Sequence, residues 1–188
     1  MARSAVKLSV VVDELIRLWP EIKRNYTERS CVPAARIAMQ VLNAAGFPGR
    51  SVEVQASALP RHLADEVRRQ AAQEPHDDTE VQVIVSDEVT GSSWHVVVVV
   101  PNRGLLDLSA EQLRGGVNGP MWFAAENAQT RAELRRFLQG APLSFDLADG
   151  GMVQYLPTGE RRHLSTNWWS DRQYWAEPVA LVRRRLGV

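Results

Sequence analysis

The chain has 188 residues, 45% of them apolar, which is enough for one globular unit with a sizeable core. Its 22 basic and 22 acidic side chains cancel, removing the simplest reading as a partner of nucleic acid, acidic membranes or highly charged substrates. One cysteine cannot form an internal disulfide and no apolar run approaches the roughly 18 residues of a bilayer span, so the expectation is a cytoplasmic protein without a membrane segment.

Basic residues precede an apolar run at the N-terminus, but Asp13 and Glu14 interrupt it, so it reads as an amphipathic helix rather than a signal peptide. Val6, Val10, Leu15, Leu18 and Trp19 predict a helix over 5–19 that stops at Pro20. A second helix starts after Ser30 as N-cap, tolerates Pro33 in its first turn and ends at Gly46 and Pro48. Cys31, Ala34, Ala35, Ala38, Val41, Leu42 and Ala45 share one stripe of it, and the small residues predict close contact with a sheet.

"RSVEVQASA" alternates as a half-buried strand, and residues 61–73 read as a polar helix followed by the loop "EPHDD". "VQVIV" at 81–85 and "WHVVVVV" at 94–100 are β-branched strands, the second buried on both faces. "PNRG" is a turn into a strand at "LLDL". Beyond Gly116, "TRAELRRFLQG" is a helix, residues 152–166 are a hairpin turning at Thr158 and Gly159, and 171–186 form a closing helix whose "RRR" end faces solvent. The fold class is α+β: N-terminal helices on a mostly antiparallel sheet, with one domain over 1–188, a core at 21–115 and an accessory region at 116–188.

A cysteine at a helix start is placed where unpaired N–H groups and the helix dipole favour a thiolate, the form that attacks acyl carbons. Alone it reads as a small core residue, so a base decides the matter. His62 lies in the polar helix, His76 in the acidic loop and His163 in the hairpin, whereas His95 opens the valine strand. Asp107, between Leu106 and Leu108, needs a partner because an unpaired buried charge is costly. A two-residue loop would put Asp107 opposite Val98 and on the wrong face for His95; one residue more restores the face, and Gly104 makes a bulge plausible. Asp87 and Glu88 are the replacements nearest in sequence.

The stretch from Cys31 through "GFPGR" into "SVEV", then "WHVVVVVPNRGLLDLS", resembles the core of transglutaminase-like and papain-like cysteine enzymes over residues 25–113. The resemblance implies Cys31 as nucleophile, His95 as general base and acid, and Asp107 as the residue orienting the imidazole. It also implies an oxyanion donor at Asn25, six residues before the cysteine, and aromatic shielding by Trp94. The implied activity is thiol-dependent amide hydrolysis or acyl transfer on a protein or peptide, without metal or organic cofactor. Asp77, Asp78 and His76 read as solvated rather than metal-binding, and "GGVNGP" lacks the lysine of a phosphate loop. A different class stays open: a non-catalytic binding or assembly protein that keeps this fold and uses Trp168, Trp169 and Trp175 as its contact surface.

Overall fold

The computed structural model describes residues 6–26, 30–73, 93–113, 117–161 and 164–188. Helix α1 (Leu8–Ile22) buries Val11, Leu15, Leu18, Trp19 and Ile22 on one stripe. It continues past Pro20, where a stop is expected, because near a helix end the proline removes only one hydrogen bond and buried Trp19 and Ile22 anchor the last turn. A 3-10 turn (Lys23–Asn25) precedes α2 (Cys31–Ala44), which starts and ends as expected. Ala34, Ala35 and Ala38 are buried where α2 lies on the sheet.

Six strands form one antiparallel sheet: β1 (Arg50–Leu59), β2 (Ser93–Val100), β3 (Gly104–Asp107), β4 (Met121–Ala124), β5 (Leu143–Asp146) and β6 (Met152–Pro157). Their spatial order is β4-β3-β2-β1-β6-β5. The valine strand is buried on both faces, as expected: Val96, Val98 and Val100 join the helical core, while Val97 and Val99 join a second core with Val54, Leu105 and Tyr155. The sheet curls until its two edges nearly meet. Phe123 of β4 and Phe145 of β5 stack with ring centroids 3.7 Å apart, and both set an edge against Tyr155 of β6. The second core therefore fills the inside of a nearly closed barrel, and α4 (Ala128–Phe137) adds Leu134 and Phe137 to it. Helix α3 (Arg61–Gln73) packs on β1, and α5 (Ala176–Leu186) lies across α1 and α2. The architecture is α+β.

The expected hairpin over 152–166 is replaced by a different one. β6 pairs with β5 and β1, and the turn comes before it, where Leu147 N–H donates to Gly151 O and Gly150 N–H to Leu147 O. Asp149, Gly150 and Gly151 carry the turn chemistry. Thr158 ends the strand, its N–H donating to Glu53 O. The closing helix starts at Ala176 rather than 171, after a 3-10 turn (Arg172–Tyr174). The strand expected at 81–85, the loop at 74–78, His76, His163, Asp87 and Glu88 lie outside the described residues.

Candidate active site

Cys31 is the first residue of α2 and 5% exposed. Ser30 holds the N-cap position but makes no side-chain cap; its hydroxyl instead accepts from the Gln112 side-chain amide. Ala34 N–H donates to Ser30 O, which closes the first helical turn and leaves the Cys31 and Val32 N–H groups without partners in the helix; Pro33 has none. The nucleophile candidate thus sits among backbone donors that the helix itself does not use, with a side-chain amide at its neighbour.

His95 is the second residue of β2 and Asp107 the last of β3, so antiparallel pairing brings both to one end of the sheet. The turn between them has three residues. Val100 pairs with Gly104 and Val98 with Leu106, Arg103 N–H donates to Val100 O at 2.9 Å, and Asn102 adopts φ 60°. Asparagine is one of the few residues that takes this conformation readily. The extra residue carries Asp107 onto the level of Val97, the face that His95 shares by the two-residue period of the strand.

The two side chains meet in full burial, His95 1% and Asp107 0% exposed. His95 Nε2 lies 2.9 Å from each carboxylate oxygen. Asp107 Oδ1 also accepts from the Ser109 N–H at 3.0 Å and the Ser109 hydroxyl at 3.4 Å, and Oδ2 accepts from the Tyr155 hydroxyl at 2.9 Å. Since an ionised carboxylate only accepts, Nε2 donates, and the second ring nitrogen is free for another partner. Cys31 lies near enough to the His95 ring to raise its pKa.

Burial alone would push the His95 imidazolium towards its neutral form. The Asp107 charge and hydrogen bond, and then the hydrogen bond and charge of Cys31, outweigh it and push the pKa up to about 10. Burial first, then the Asp107 charge and hydrogen bond, hold the Tyr155 phenol well above its ordinary value, so it remains a donor.

The three residues expected to work together are therefore brought together. Trp94, 38% exposed, precedes His95 at the start of β2, and Asn25 ends the exposed 3-10 turn before α2. His62 is exposed on α3. Sequence reasoning missed Ser109, Gln112 and Tyr155. The "DLS" stretch does signal an aspartate that hydrogen-bonds the N–H two residues on. Tyr155, 48 residues from Asp107 in the chain, reaches it only because the sheet curls into a barrel. Of the tryptophans expected to cluster, Trp169 and Trp175 flank Arg36 of α2. Among the described residues no helix is long and apolar enough to cross a membrane. The chain matches no protein-family model, no curated protein and no solved structure.

Proposed function

We propose that this protein is a thiol-dependent amide hydrolase or acyltransferase with a core of transglutaminase-like or papain-like type. The observation that carries the proposal is a fully buried histidine whose Nε2 is already held by both oxygens of Asp107, with Cys31 near enough to raise its pKa. In such a pair the ring has one defined orientation and one nitrogen left for the thiol.

The reactive form is the Cys31 thiolate beside the His95 imidazolium. The sulfur attacks the carbonyl carbon of an amide and forms a C–S bond, and the carbonyl electron pair moves to oxygen. The backbone N–H groups of Cys31 and Val32 are the first donors for that oxyanion. The side-chain donor is assigned to Gln112, because its amide is tied to Ser30, whereas Asn25 ends an exposed turn. Collapse breaks the C–N bond, and His95 gives its proton to the departing amine. Water or an amine then attacks the thioester, losing its proton to His95 as Cys31 leaves, so the product is an acid or a new amide. Trp94 stands beside the histidine as an exposed aromatic surface for a protein or peptide substrate.

Alkylation tests the pair. At pH 6 the wild type is expected to react with iodoacetamide at least about tenfold faster than free cysteine, and His95→Ala to lose that advantage. Labelling of the folded wild type at the free-thiol rate, indifferent to His95, would sink the proposal.

A further inference from the structure

On α2, five residues beyond Cys31, Arg36 lies about 140° around the helix axis from the cysteine and faces the C-terminal segment instead of the site. Its guanidinium carbon is 4.9 Å from the centroid of the Trp169 ring and 4.8 Å from that of Trp175. Two aromatic rings at that distance occupy the faces of a planar cation, and its N–H donors lie in the plane, where rings do not satisfy them. Arg36 Nε is buried without a hydrogen-bond partner, and so is Trp175 Nε1. Burial also holds the Arg36 guanidinium below its ordinary pKa. A buried donor left unpaired is costly, so two together ask for an acceptor.

The surroundings supply charge and space for one. Arg36 and Trp175, with Gln40, Ser170, Arg172 and Arg183, line a cleft of about 590 Å³ between α2 and α5. Among the described residues no carboxylate side chain lines it and none of the three arginines pairs with one; Arg183 Nε donates to Val188 O at 3.3 Å, which leaves its terminal N–H groups for a ligand. Two acids adjoin lining residues in sequence: Asp171 is engaged by the Gln173 N–H and side-chain amide at 3.0 and 2.7 Å, and Glu177, in the first turn of α5, is exposed and does not line the cleft. The first turn of α5 begins in the cleft wall at Ala176, and its N-cap Trp175 contributes no side-chain cap, so backbone N–H groups add to the positive end. Val179 and Ala180 give the cleft an apolar floor. The volume is far larger than a bare anion needs and falls within the range of small-molecule sites.

We propose that this cleft binds a small organic molecule through its oxyanion, a phosphate ester or a carboxylate held by Arg36, Arg172 and Arg183. The proposal does not depend on the cysteine chemistry, and a Cys31→Ala protein should bind alike.

The test is a titration of the full chain with inorganic phosphate, glycerol 3-phosphate and succinate at constant ionic strength, followed by tryptophan emission. At least one probe is expected to saturate with a Kd below about 5 mM, and Arg183→Gln to weaken it about tenfold. Arg183 is exposed, so this variant keeps the fold, and it decides the matter even if Arg36→Gln, expected to act likewise, does not fold. Saturation by the two phosphates without succinate assigns a phosphate ester; the reverse assigns a carboxylate; saturation by both supports a general oxyanion site. Responses that stay linear for all three probes, or a Kd unmoved by Arg183→Gln, overturn it.

Discussion

Raising the pH should loosen this fold through His95. The folded state keeps the imidazole proton up to about pH 10, whereas the free side chain releases it near 6.5. The stabilisation is therefore fully present below about pH 6.5 and is lost as pH rises through about 10, because over that window the folded state binds a proton that the unfolded chain does not. At about 1.4 kcal/mol per pH unit, the interval from 6.5 to about 10 sets an upper bound of about 5 kcal/mol. Against a usual total of about 5–15 kcal/mol, such a loss is easily measured.

Urea unfolding at steps from pH 6 to pH 10 measures it, comparing Cys31→Ala with the Cys31→Ala/His95→Gln double variant. The background removes the thiol and keeps Asp107, the larger of the two partners that raise the histidine. The parent is expected to lose at least about 2 kcal/mol across the window and the double variant much less. Tyr26, raised by burial to about 12, and Tyr155, raised well above 10, add losses of the same sign only beyond pH 10, so the window stops there. Parallel pH dependences in the two proteins would refute the ion pair as the source.

Tyr155→Phe takes one donor from the buried Asp107 carboxylate and should cost about 1.5–3 kcal/mol, a melting-point drop of about 3–12 °C at pH 7; an unchanged melting point would mean that the barrel does not press this phenol onto the carboxylate. Gly104→Ala would place a Cβ 2.4 Å from Phe123 O and 2.5 Å from the Trp122 ring. Backbone on one side cannot move aside, so calorimetry should show a loss of about 2 kcal/mol or more, and a neutral result would contradict the close β3–β4 approach. Gln112→Ala should slow acylation by p-nitrophenyl acetate about tenfold or more and leave iodoacetamide labelling unchanged, since only the ester develops an oxyanion; equal effects on both reagents would assign Gln112 to holding the helix start.

The parts of the fold legible in the sequence are those with a strong local period. α2 reads from its small-residue stripe and its Gly46 exit, and β2 from five valines in a row, because burial on both faces leaves no alternation to misread. β4 and β5 span four residues each, too short to show a period, and their partners lie far along the chain. The missed β5 then displaced the hairpin, since β6 was left to find a partner after itself. At the site, Cys31, His95 and Asp107 follow from element type and order, but their shared face hangs on one residue of turn length. Asn102 at φ 60° supplies it, and single-residue spacing cannot be read from "PNRG" without knowing the pairing. Tyr155 had no signal at all, because only closure of the sheet brings it near.

If stability were all that His95 and Asp107 supplied, they would be a poor choice. Two buried charges give up hydration worth several kcal/mol each, and apolar residues of similar volume usually do as well or better. Here the carboxylate is satisfied from three directions, by His95, by Ser109 and by Tyr155, and what that arrangement delivers is a fixed ring with one nitrogen left for Cys31. The two roles part in a mutant set. His95→Leu alone strands a buried carboxylate and should cost about 3–5 kcal/mol, whereas His95→Leu/Asp107→Leu/Tyr155→Phe removes the charges together and leaves only the Ser109 donors unpaired. The triple variant should therefore recover at least about 2 kcal/mol of that loss by urea unfolding while Cys31 reacts no faster than a free thiol. A triple variant as unstable as the single one would make the buried pair a structural necessity and take away the strongest physical reason for reading it as chemistry.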